Sequence, residues 1–131
     1  YFLLTNIVRD IRGDVTEHRS MLINVSRFVA VQKRLSELVS EWLFETRRDI
    51  ENYCMIDEER ACKNDTLAML RDAWNNPAYP FFKGTSIPWI DVQKNFLHKS
   101  VLPIEVRTIN ENQCCLSTSS CTATTLGVIG W

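Results

Sequence analysis

The chain lacks any apolar run near the roughly 20 residues that a helix needs to cross a bilayer. No charged-then-apolar signal peptide opens it. An excess of one charge is missing too: 15 Lys and Arg stand against 16 Asp and Glu, a formal net charge of -1. No global basic field therefore announces nucleic acid, although a local basic patch remains open. Internal repeats are absent, which excludes a solenoid or a propeller. The cysteines Cys54, Cys62, Cys114, Cys115 and Cys121 are odd in number and lack the paired two-residue gaps of a zinc site. Reduced thiols in a cytoplasmic protein are the expectation. What is present is the balance of one ordinary soluble domain: 131 residues, 45% hydrophobic and 24% charged.

Phe2, Leu3, Ile7 and Ile11 recur at helical spacing, and Gly13 is placed to end that helix. The chain opens at Tyr1 in what reads as a helix already under way, so a domain cut from a longer polypeptide is expected. Residues 21–25 are apolar nearly throughout, as in a strand covered on both faces. A helix should follow over residues 28–53, with Phe28, Val31, Leu35, Leu38, Val39, Trp42, Leu43 and Ile50 as its apolar stripe. Asp57 caps a third helix that runs to Asn75, with Leu67, Leu70 and Trp74 on one side, before Asn75-Asn76-Pro77 breaks it. Ser86 and Pro88 start a fourth helix over residues 87–99, with Trp89, Val92, Phe96 and Leu97 along its stripe. Residues 104–109 alternate as a strand does. Residues 126–129 read as a third short strand with nothing to cover it, paired weakly at best. The stretch before it, residues 113–125, holds three cysteines among Ser and Thr without charge or periodicity.

The fold class is α/β: a short parallel sheet with a long helical insertion between strands. If the first two strands are parallel neighbours, joined by a right-handed crossover that carries the inserted helices, both end on one edge of the sheet, and ligands in open α/β sheets sit off that edge. It would carry Asn24, Ser26 and Arg27 after one strand and Asn110, Glu111 and Asn112 after the other. Arg27 either reaches a phosphate beside a helix start or pairs with an acidic neighbour. Ser26 serves equally as an N-cap, and the asparagines as structural or turn residues. Glu111 has no second acid at motif spacing. His18 and His98 stand alone, and no Cys/His nucleophile pair is specified. Lys33, Arg34, Arg47 and Arg48 lie on a mixed-sign helix face. Trp42, Trp74 and Trp89 read as core.

The segment Ser20-Met21-Leu22-Ile23-Asn24-Val25-Ser26-Arg27-Phe28, followed by Val31-Gln32, resembles the hallmark of the Z-one (Z1) domain, a family of bacterial proteins regarded as endonucleases. The resemblance continues through the long helix and Trp89-Ile90-Asp91-Val92-Gln93, and ends at Ile104-Glu105-Val106-Arg107-Thr108-Ile109-Asn110. It covers most of residues 1–112, leaving 113–131 as an atypical Cys/Ser/Thr-rich tail. It implies a partial RecA-like lobe, the second motor lobe of a superfamily-two helicase-type ATPase in restriction or phage defence. It also implies DNA and the remaining ATPase lobes as partners through the full-length protein, and a cytoplasmic location without membrane contact. ATP and magnesium are implied for the full-length protein, and no cofactor for this fragment. Ser26, Arg27, Gln32 and Asn110 become the nucleic-acid-binding candidates. Three of the motor's parts are absent here: a Gly-Lys-Ser/Thr phosphate loop, the Leu-Ser-Arg-Gly motif after the next strand, and the arginine motif beyond it. The chain thus reads as a lobe fragment inactive by itself, with no catalytic residues assignable. The alternatives are a non-catalytic nucleic-acid-binding module and a protein-interaction module.

Overall fold

The computed structural model describes all residues except 15, 25–27, 79–85, 110–123 and 130–131, and the backbone alone of 24, 109 and 124–129. The architecture is mixed, mostly helical, with one three-stranded sheet. The chain divides into two compact units, Tyr1–Val15 with Glu45–Leu102, and Thr16–Phe44 with Pro103–Trp131.

The first unit is all helix among its described residues. Helix α1 (Phe2–Ile11) buries Leu3, Leu4, Ile7 and Val8, a face rotated from the expected one, which leaves Phe2 and Ile11 half-buried. It ends where Gly13 takes a φ of 76° that disfavours a side chain. The Gly13 N–H donates to the Asp10 carbonyl at 3.1 Å and the Asp14 N–H to the Arg9 carbonyl at 3.0 Å. These are the two bonds of a Schellman turn. An Arg9–Asp14 ion pair at 2.7 Å stands where such turns usually place an apolar contact. The long helix α2 (Val29–Tyr53) contributes its second part to this unit, burying Thr46 and Ile50.

The single third helix expected from the sequence is two. Helix α3 (Glu58–Ala61) starts as anticipated at Asp57, whose carboxylate accepts from the Arg60 N–H at 3.2 Å. Helix α4 (Asp65–Asn75) starts afresh at Asn64, whose side chain accepts from the Leu67 N–H at 3.2 Å. A capping asparagine supplies the orphan N–H groups with an acceptor, so a new helix start competes well with continuation. Leu67, Leu70 and Trp74 are buried on one side of α4, as expected, and Thr66 donates to Asp49 of α2 at 2.6 Å.

Helix α5 (Trp89–Val92) follows Pro88, widens into a π-turn (Gln93–Leu97) and resumes as α6 (His98–Val101). Trp89, Val92, Leu97 and Val101 are buried, and Ser100 donates to Asp10 of α1. The unpredicted member of this face is Gln93, fully buried. Its amide nitrogen donates to the Cys54 carbonyl at 3.2 Å and the Ile56 carbonyl at 2.9 Å. Both carbonyls lie just past the end of α2, so one side chain caps that helix from outside.

The second unit holds the sheet. Strands β1 (Arg19–Asn24), β2 (Glu105–Ile109) and β3 (Thr124–Ile129) are all parallel, in the order β1-β3-β2. All the helices from α2 to α6 lie between β1 and β2 in the chain. The expectation of a marginal last strand is overturned: β3 is the middle strand, paired along its length with β1 on one side and with β2 on the other. A middle strand satisfies its backbone groups on both edges, which an added edge strand cannot do.

Side chains alternate between faces. Arg19 is buried and Met21 and Ile23 half-buried, while Ser20 and Leu22 are exposed, Leu22 by 57%. On β2, Val106 and Thr108 are half-buried, and Glu105 and Arg107 pair at 2.7 Å on the exposed side. The expectation of a strand covered on both faces is therefore corrected for β1. Its apolar Leu22 mimics a buried position, yet the pleat turns it outward. The first part of α2 meets the inner face at Ser36, whose hydroxyl accepts from Thr108 at 3.0 Å.

The seam that α2 buries also differs from the expected stripe. Gln32 and Leu43 are buried, whereas Val31, Leu38 and Trp42 are 45%, 45% and 42% exposed. Trp42 is thus not core. The helix carries two adjacent apolar flanks, and the seam it buries is the one interrupted by Gln32, Ser36 and Thr46.

Candidate nucleic-acid interface

Parallel strands bring like ends together, and the register makes these ends level. Asn24 pairs with Ile129, and Ile109 pairs with the same residue from the other side. At about 4.8 Å per strand spacing, the backbones at Asn24 and Ile109 are roughly 10 Å apart across β3. The expectation of two neighbouring strands is corrected, because β3 lies between them; both still finish on one edge, since all three strands are parallel. In the chain, α2 begins at Val29, five residues after β1 ends at Asn24.

The first turn of α2 contains no acidic residue. The first turn itself thus adds no negative charge to the helix's partial positive end, an arrangement that favours an anion there. Phe28 supplies the carbonyl that closes the first turn, accepting from Val31 at 3.1 Å and Gln32 at 3.2 Å. Arg34 and Lys33 are exposed one turn on, and Arg34 lies 3.4 Å from Glu37. That loose pair keeps the surface mixed in sign.

Of the candidates read from the sequence, Ser26, Arg27 and Asn110 lie outside the described residues, as do Glu111 and Asn112. The strand ends that lead to them are described, and they converge. Gln32 is described and is only 4% exposed, so its side chain is turned into the unit rather than presented to a ligand. Its position four residues before Ser36 places it on the seam that runs on through Leu43 and Thr46, which apolarity alone does not reveal.

The other chemical candidates do not assemble. His18 and His98 are both exposed. Burial pushes the Cys54 thiol up, and desolvation also raises Cys62 against the opposing field of Arg71. Neither is a ready thiolate at neutral pH. Among the described residues no three His, Cys, Asp or Glu side chains are grouped to hold a metal ion. No described helix is long and apolar enough to cross a membrane.

A sequence profile of the Z1 domain family matches residues 1–125. No curated protein and no solved structure matches the chain.

Proposed function

We propose, from the premise that this chain belongs to the Z1 domain family, that it is the nucleic-acid-contacting part of a larger ATP-dependent DNA-processing protein. In this reading it forms part of the second, RecA-like motor lobe of a helicase-like endonuclease in restriction or phage defence. The observation that carries the reading is the level carboxyl edge of the parallel sheet. Two strand ends flank β3 there, and a long helix with no acid in its first turn starts from one of them. Arg27 and Ser26, between β1 and α2, and Asn110, directly after β2, are the groups this edge would offer to a phosphate backbone.

The sequence has no Gly-Lys-Ser/Thr loop, and the described residues hold no metal-ligand group. No step through ATP or magnesium is assigned to this chain; both belong to the remaining lobes of the full-length protein. The chain by itself has no turnover in this reading.

Titration with single-stranded DNA at several salt concentrations tests the proposal. Affinity should fall as salt rises, and Arg27→Ala should weaken binding and lower the log–log slope by about one contact. Equal affinity of Arg27→Ala and the parent chain at two salt concentrations overturns it. A protein-interaction module is the second reading, favoured by the exposed Leu22 on the outer sheet face.

A further inference from the structure

The exposed flank of α2 has a symmetry that its buried seam lacks. Val31, Leu35, Leu38 and Trp42 recur once per turn along it. Val31, Leu38 and Trp42 are each more than 40% exposed, and Leu35 is half-buried. Arg34 stands beside the strip between Val31 and Leu35, and Glu41 stands on the same side between Leu38 and Trp42. Turned end for end, the helix maps Val31 onto Trp42 and Leu35 onto Leu38, and it brings Arg34 to the same side as Glu41, offset along the axis by about 3 Å. The apolar strip reproduces itself, and the flanking charge inverts.

A surface that is self-complementary under a two-fold rotation fits a second copy of itself. We propose that this flank of α2 is an antiparallel homodimer interface. Val31 packs on the partner's Trp42 and Leu35 on the partner's Leu38, each contact made twice. Arg34 then faces the partner's Glu41, also twice, as flanking charges do in antiparallel helix pairs. The parallel alternative stacks Trp42 on itself and brings Arg34 beside no acid. Arg34 is free to exchange partners: its bond to Glu37 is 3.4 Å long and both side chains are largely in water. The strip spans about 16 Å at 1.5 Å per residue. That is a short seam, so the dimer is weak and its population follows concentration.

Sedimentation velocity on the chain across a dilution series tests the proposal. The expected result is a reversible monomer–dimer equilibrium. Arg34→Glu and Glu41→Arg should each weaken it about tenfold, by setting like charges opposite one another twice. The double variant R34E/E41R should restore the parent equilibrium, which a merely structural role for either residue would not do. Leu38→Ser should leave only monomer, with circular dichroism confirming that the helix persists. A parent chain monomeric at every concentration overturns the proposal, and so does a double variant as weak as the singles. A dimer indifferent to all four changes places the interface elsewhere and also overturns it.

Discussion

The two units bury very different numbers of apolar side chains among their described residues. Among the described residues, unit 2 buries only Leu43 and Ile104 of the apolar set, and every other buried apolar side chain belongs to unit 1. Leu22, Val29, Val31, Leu38, Trp42 and Phe44, all in unit 2, are instead large apolar side chains in water. The all-helical unit closes a core from α1, the second part of α2, α3, α4 and the α5–α6 segment, and adds polar ties such as Thr66–Asp49 and Ser100–Asp10. Among its described residues the sheet unit shows its backbone ladder and several apolar side chains on the surface. Burial makes a unit stable, whereas exposed apolar surface is where a protein meets something else.

The comparison can be broken most sharply at Ile50, which is fully buried in unit 1. Ile50→Ala should cost about 2–5 kcal/mol of stability in urea unfolding, the range for an apolar deletion in a core that relaxes only in part. A cost below about 1 kcal/mol would show that unit 1 is not closely packed around Ile50. Next comes Gln93. Gln93→Leu removes the donor from two carbonyls beyond α2 and should cost about 1–3 kcal/mol in thermal unfolding. Gln93→Glu should be at least as damaging, because a carboxylate would then face those carbonyls.

Asn64→Ala should cost about 1 kcal/mol by removing the cap of α4, and Asn64→Asp should recover most of it. A loss in Asn64→Asp equal to that in Asn64→Ala would mean that the cap is unimportant. In unit 2, Thr108→Val keeps the shape but removes the bond to Ser36, for about 0.5–1.5 kcal/mol. The smallest effect sharpens the contrast. Leu38→Ala, in dilute protein, should change stability by no more than about 0.5 kcal/mol, as surface changes do. A loss comparable to that of Ile50→Ala would show that the flank is covered within one chain.

Local signals were legible from the residues; choices among equivalents were not. Gly13 announces the end of α1, and Asn75-Asn76-Pro77 the end of α4, because backbone chemistry there is decided by one or two residues. The two flanks of α2 are another matter. Val31, Leu35, Leu38 and Trp42 form the more apolar strip, yet the helix buries the seam containing Gln32, Ser36 and Thr46. What decides is which flank finds partners such as Thr108, and no window of sequence along the helix contains Thr108. The π-turn at Gln93 has no local signature either, since it serves carbonyls at Cys54 and Ile56. For the candidate site, parallel topology was enough to bring two strand ends to one edge. It could not say that β3 would lie between them, because strand order is a property of the whole chain.

That strand order has a consequence for how the molecule is made. Strand β1 must wait for β3, roughly a hundred residues later, before the strand it pairs with is made. On a ribosome adding about 5–20 residues per second, that is a delay of several seconds. Strands β1 and β2 do not bond to each other, so no two-stranded nucleus can form in the meantime. Unit 1 is complete at Leu102, before β2 and β3 have been synthesised. Assembly is therefore vectorial: a helical body first, then a sheet of high contact order closed by insertion of its central strand. Until that insertion both flanking strands present bare edges, and this interval is when the nascent chain is most exposed to wrong pairing.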